Sequence, residues 1–344
     1  MSKTKKIFLF AVSCFFVGLI FVVLYVNHLK ISLPFESGLS FIRRRRHFTP
    51  SNDTNIIFIL NSRSTDLTDL QLCTVESACR YYPNNTIQLF VQECFDEEHA
   101  RKQLDMCEFL NFTRIDYEKI FADTPLMDWY KSGVYHKSPY SIVELSDAAR
   151  LAILYKQGGT YMDLDYISVQ QIPSSMKNII ARQLDVKSDS DFAQSLNNAI
   201  LRFEKGNLFL QQLLHDFVKY YAIEPWGNNG PELITRTKTT LEKMNSTLLN
   251  GLVVGPQPQF YPLQCCDQFG PNAPFQELSK VSDHLKKLVY DAYGVHIYSK
   301  SELMKEDSFQ HDMMKKKCPV TASLLKFPQT KTEREKQAEM RLKD

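Results

Sequence analysis

The chain has 344 residues, 44% of them hydrophobic, and carries a formal charge of +2 from 41 basic and 39 acidic side chains. That length buries a sizeable core in one large or two small domains. The near-neutral balance, with no aromatic residues alternating through the basic run, argues against nucleic acid as a partner.

Residues 7–26 contain no charged side chain and are almost wholly apolar. At 1.5 Å rise per residue a helix of that length spans about 30 Å of hydrocarbon. No small-residue cleavage site follows, so an uncleaved signal anchor is expected rather than a removed signal peptide. Lys3, Lys5 and Lys6 abut the span, favouring a cytosolic tail at residues 1–6 and a translocated body. Residues 27–54 form an irregular stem with Pro34, Gly38, Pro50 and four consecutive arginines, Arg43 to Arg46. Four Asn-x-Thr sequons, at Asn52, Asn84, Asn111 and Asn245, fit the secretory pathway. Seven of the eight cysteines follow the span without metal-binding spacing, so an oxidising lumen suits them and one is left unpaired or intermolecular.

The body, residues 55–325, reads as alternating strands and helices. Residues 55–60 are a short apolar run typical of a buried parallel strand, 69–80 a helix, 86–92 a strand, 98–110 a helix and 112–115 a further apolar strand. That alternation predicts an α/β fold. Ser146 or Asp147 is placed to cap a helix running through Lys156, which Gly158-Gly159 stops. After a variable Ser/Asp stretch, residues 199–203 read as a strand and 207–221 as an amphipathic helix. Residues 226–233 form a polar, glycine-rich loop with Pro231 in the first turn of the next helix. Residues 293–298 alternate as a strand does, and 326–344 are a charged, solvated tail.

The stretch Gly158-Gly159-Thr160-Tyr161-Met162-Asp163-Leu164-Asp165 concentrates the chemistry. In an extended segment, i and i+2 side chains share a face, so Asp163 and Asp165 would converge while Leu164 anchors in the core. Two carboxylates at the end of a strand suit a hard, oxygen-seeking cation, Mn²⁺ or Mg²⁺.

Ser146-Asp147-Ala148-Ala149-Arg150 followed by this stretch resembles the DXD-containing α-1,4-glycosyltransferases. Cys73 to Ala78, Asp123 to Tyr130, Gly227 to Arg236 and Cys318-Pro319 continue the resemblance in order. It implies a GT-A-like fold, with a Rossmann-like mixed sheet flanked by helices, behind an N-terminal transmembrane helix in the Golgi membrane. It also implies transfer of galactose or N-acetylgalactosamine from a UDP-sugar, with retention, to a glycolipid or glycan acceptor. By the same resemblance Asp163 and Asp165 are the catalytic pair and, with His296, the metal ligands. Asp147, Arg150, Tyr161 and Asn198 fall to the donor, and Trp226, Asn229 and Gly230 to the acceptor sugar. An indole face packs on a pyranose and an Asn amide fixes hydroxyls, which suits the last group. No nucleophile is identified among Asp189, Asp191 and Asp267, and a front-face mechanism stays open.

Other readings remain. They are α-1,4-N-acetylglucosaminyl transfer to glycoprotein glycans, a lumenal glycoside hydrolase with two spaced carboxylates, and a membrane-tethered sugar-binding protein without activity.

Overall fold

The computed structural model describes residues 55–184, 195–263, 276–298 and 304–327. Among these no helix is long and apolar enough to cross a membrane. The anchor expected at 7–26, the stem, most of the charged tail, and Asp189, Asp191 and Asp267 lie outside the described residues.

Strand β1 (Ile56–Leu60) is buried at every position, as a strand covered on both faces must be. Helix α1 (Asp69–Tyr81) opens on a capping box in which Thr68 and Gln71 satisfy each other's backbone N–H groups. Strands β2 (Ile87–Val91) and β3 (Leu110–Arg114) continue in parallel, with α2 (Glu97–Gln103) between them. The helix expected over 98–110 therefore stops near Gln103, where the Cys79–Cys107 disulfide holds the chain as it turns into β3.

Two short helices, α3 (Tyr117–Phe121) and α4 (Leu126–Ser132), lead to α5 (Ser141–Gln157). Because α5 starts ahead of Ser146, neither Ser146 nor Asp147 is its cap, and Oδ1 of Asp147 is engaged instead by Arg150 and Asn198. Gly158 ends the helix at φ +73° and Gly159 enters β4 (Gly159–Met162) at φ +122°. A Cβ would stand 2.8 Å from Lys205 N at the first and 2.7 Å from Asn55 O at the second, so both positions require glycine.

The rest of the chain supplies β5 (Tyr166–Ser168), β6 (Asn178–Arg182) and β7 (Leu196–Phe203), then α6 (Leu208–Lys219) and α7 (Pro231–Lys243). It ends with β8 (Leu252–Gly255), α8 (Gln257–Phe260), α9 (Asp283–Asp291), β9 (Gly294–His296), α10 (Phe309–Lys317) and α11 (Pro319–Leu324). Asn207 caps α6 with its side chain, and Pro231 sits, as expected, in the first turn of α7.

Seven strands form a mixed, mostly parallel sheet in the order β3-β2-β1-β4-β7-β6-β8, with β7 running against its neighbours. Ile57, Ile59 and Tyr161 face one layer, built on Ala148, Leu151, Leu213 and Leu233. Ile56, Phe58 and Met162 face the other, with Val75 and Phe260. The expected α/β architecture is present. A separate two-stranded sheet pairs β5 with β9, and its residues join Cys73, Phe309 and Cys318 in a third core.

Candidate active site

The parallel strands β1 to β4 all deliver their carboxyl ends to one edge, the usual ligand edge of an open α/β sheet. Met162 closes β4 there, and Asp163 to Asp165 follow as a turn rather than as the strand expected: Tyr166 N donates to Asp163 O at 3.0 Å. Leu164 is accordingly only half-buried. The two carboxylates are brought together because the chain reverses between the main sheet and β5, not because they alternate along a pleat.

The β5–β9 ladder brings in the third group. Tyr166 pairs with His296, and Ile297 N donates to Asp165 O at 2.9 Å. His296 Nε2 therefore lies 3.0 Å from Asp165 Oδ1 and 3.9 Å from Asp163 Oδ2. The imidazole is buried and packed against Tyr298, Tyr261 and Tyr166, while its Nδ1 finds no hydrogen-bond partner among the described residues. Burial alone would favour the neutral ring, but Asp165 by charge and hydrogen bond, then Asp163 by charge, outweigh it and raise the pKa above the ordinary histidine value.

Chemically the triad suits a divalent cation. One ligand atom from each of Asp163, Asp165 and His296 lies within 4.8 Å of the others. Two carboxylate oxygens and one imidazole nitrogen form a donor set appropriate to Mn²⁺ or a similar ion. Asp163 keeps 25% of its side chain accessible, against 5% for Arg150, so the acidic cluster opens outward from a closed base.

That base is a buried charge network. Arg150 reaches Asp147 Oδ1 at 3.1 Å, Asp163 Oδ1 at 3.0 Å and Asn198 O at 2.8 Å. Its guanidinium carbon also lies 4.4 Å from the centre of the Tyr161 ring. Burial disfavours the guanidinium charge, but Asp163, Tyr161 and Asp147 hold its pKa above the usual value. For Asp147 burial is the largest influence, and the charges of Asp163 and Glu144 add to it. Arg150 and the Asn198 amide, which donates at 2.7 Å, offset only part, so the carboxyl is pushed up to about 6.

The residues expected at the donor thus meet in one cluster, with one qualification. Tyr161 is buried and gives its hydroxyl to Asp163 Oδ1 at 2.6 Å, so it reaches any ligand only through Asp163. The acceptor group divides. Trp226 is 61% exposed, whereas Gly230 is packed so tightly that a Cβ would stand 2.7 Å from Asp147 Oδ2. Asn229 is buried, and its amide serves Ala222 and Glu144 instead of facing outward. Glu144 belongs to no motif, and the only local signal for it is its i, i+3 spacing from Asp147 on a helix.

The conserved region described as alpha 1,4-glycosyltransferase matches residues 202–325, and the glycosyltransferase sugar-binding region containing the DXD motif matches residues 68–186. The mouse (Mus musculus) lactosylceramide 4-alpha-galactosyltransferase is 29% identical over 321 residues, spanning 87% of this chain and 84% of that protein. The protein of the same name from Pongo pygmaeus is 31% identical over 190 residues, 54% of this chain and 81% of its own. The human alpha-1,4-N-acetylglucosaminyltransferase is 32% identical over 194 residues, 54% of each chain. The two matched regions together hold Asp147, Arg150, Asp163, Asp165 and His296, and the chain belongs to the DXD-containing α-1,4-glycosyltransferase family, enzymes that move a sugar from a nucleotide-sugar donor to an acceptor.

Proposed function

We propose that this enzyme transfers galactose or N-acetylgalactosamine from a UDP-sugar to the terminal sugar of a glycolipid or glycan, forming an α-1,4 linkage with retention. A lactosylceramide-like glycosphingolipid is the acceptor favoured, from the names of the relatives that align over most of the chain. The observation that carries the reading is the convergence of Asp163, Asp165 and His296 on one point beside Arg150. The GT-A-like organisation follows from the same placement, at the carboxyl edge of a mostly parallel sheet.

The reaction has to break the bond between an anomeric carbon and a diphosphate, whose charge makes it a poor leaving group. A divalent cation on the triad, Mn²⁺ or Mg²⁺, supplies Lewis-acid neutralisation of that charge. The remaining work belongs to the chain's own residues. Arg150, immobilised between two carboxylates, presents a fixed positive field at the donor and costs no reorganisation during reaction. Asp147 and Asn198, already bonded to each other, offer the sugar hydroxyls an acceptor and a donor of set orientation. Trp226 gives the acceptor ring an exposed apolar face.

The body works in the Golgi lumen behind a single-pass type II anchor at residues 7–26. Two disulfides, Cys73–Cys318 and Cys79–Cys107, suit that oxidising compartment. Purified full-length protein, assayed with UDP-Gal, UDP-GalNAc and UDP-GlcNAc against glycolipid and glycan acceptors in Mn²⁺ and in EDTA, tests the reading. Transfer from UDP-Gal or UDP-GalNAc that stops in EDTA supports it, and activity only with UDP-GlcNAc replaces the donor assignment.

A further inference from the structure

Glu144 lies one turn before Asp147 on α5 and is 4% exposed. A buried carboxylate is costly unless its oxygens are satisfied, and here three donors converge on it. Oε1 accepts from Ser138 Oγ at 2.8 Å and from Asn229 Nδ2 at 3.3 Å, and Oε2 accepts from Tyr221 OH at 2.7 Å. Nothing in the reaction described above uses this group.

Its donors are distributed to a purpose. Ser138 belongs to the entry of α5, while Tyr221 and Asn229 stand at the two ends of the loop between α6 and α7. Asn229 also closes that loop on itself. Its Nδ2 donates to Ala222 O at 2.7 Å, and its Oδ1 accepts from Ala222 N at 3.3 Å and from Asn228 Nδ2 at 2.9 Å. Between these ends the chain carries the exposed Trp226. The next residue after Asn229, Gly230, rests against Asp147 and Asn198. One face of α5 therefore bears two buried carboxylates with separate tasks: Asp147 stands among the donor groups, and Glu144 clasps the base of the neighbouring loop. A carboxylate suits the second task because charge-assisted hydrogen bonds are short and strong, and a single ionised group takes several donors at once.

We propose that Glu144 is a positioning residue for the acceptor sugar: by holding Tyr221 and Asn229 it fixes the loop that carries the exposed Trp226. This rests on the reading that Trp226 receives the acceptor ring.

The test compares full-length wild type with Glu144→Ala, Glu144→Gln, Tyr221→Phe and Trp226→Ala. It measures KM for acceptor, KM for UDP-sugar, and hydrolysis of the UDP-sugar without acceptor. Releasing the loop should raise acceptor KM roughly tenfold in Glu144→Ala, as misplacement of a positioning element does. Donor KM and hydrolysis should stay within about twofold of wild type, since Asp147, Arg150 and Asn198 keep their own partners. Glu144→Gln should recover most of the loss, because its amide oxygen accepts from Ser138 and Asn229 while its NH₂ donates to the Tyr221 oxygen. Tyr221→Phe, which removes one donor only, should fall between them and carries the test if Glu144→Ala does not fold. If donor KM and hydrolysis deteriorate in step with acceptor KM, Glu144 merely supports the fold and the proposal is overturned. If Trp226→Ala raises acceptor KM while the Glu144 and Tyr221 variants do not, the proposal is also overturned, with the acceptor reading intact. An unchanged acceptor KM in Trp226→Ala instead sinks the acceptor reading itself, and the proposal with it.

Discussion

Tyr161 donates its hydroxyl to Oδ1 of Asp163 at 2.6 Å, and Arg150 holds the same oxygen at 3.0 Å, so Oδ2 is the oxygen turned toward His296. Burial keeps the Tyr161 phenol well above its ordinary pKa, so it stays a donor. Tyr161→Phe preserves the ring beneath Arg150 and removes only that bond. Such outer partners of a ligating carboxylate typically contribute tenfold or more to metal affinity, and a Mn²⁺ titration of the variant should show a loss of roughly tenfold. The cost in stability should be near 1 kcal/mol. An unshifted titration would mean that Arg150 alone orients Asp163.

Asp165→Asn should abolish transfer while the protein is still secreted, its cost in stability confined to the lost pairing with protonated His296. Its carboxylate faces His296 and belongs to none of the three apolar cores. Full activity in this variant removes Asp165 from the proposed cation site.

Metal binding should weaken as pH falls. The folded pKa of His296 is raised, because the two aspartates outweigh burial. In the metal-free protein the ion pair therefore stabilises the fold below the unfolded histidine value of about 6.5 and is lost as pH rises through the higher folded value. A ligating imidazole must be neutral, so cation binding has the opposite preference. The rise in melting temperature produced by Mn²⁺ should accordingly be larger at about pH 8 than at about pH 6. An equal shift at both would exclude His296 as a ligand.

Gly230→Ala tests the contact between the loop and the donor cluster. The new Cβ would stand 2.7 Å from Asp147 Oδ2 and 2.8 Å from Asn198 Nδ2, so one of these buried groups has to move. The expected result is a rise in donor KM of roughly tenfold or more. An unaffected donor KM would show that Asp147 and Asn198 do not set donor geometry.

The Cys73–Cys318 disulfide ties α1 to the start of α11, and Glu76 of α1 accepts from the N–H groups of Val320 and Thr321 at 3.0 and 2.7 Å. Cys73→Ser should cost about 2–5 kcal/mol in unfolding free energy, read by denaturant titration. Cys94→Ser, at an exposed free cysteine, should leave the midpoint where it was.

The elements legible in the sequence were those set by neighbours along the chain. The β1 run, Pro231 in its first turn and the glycine pair before β4 each depend on local sterics and hydrogen bonding. The Asp163–Asp165 turn was hidden, because alternation along a strand and reversal at its end give the same spacing of two acids. His296 was accessible only through resemblance: its place beside Asp165 depends on the register of β5 against β9, which no local pattern encodes. Asn229 looked like a group for a ligand because polar loop residues usually face out, yet a buried carboxylate elsewhere claims its amide.

The β5–β9 pairing couples synthesis to competence. Strands β1 to β4 and both aspartates leave the ribosome well before the residue that must stand opposite Tyr166. A nascent chain released short of β9 would carry an intact DXD sequence yet lack the imidazole of the triad, and so should be inert.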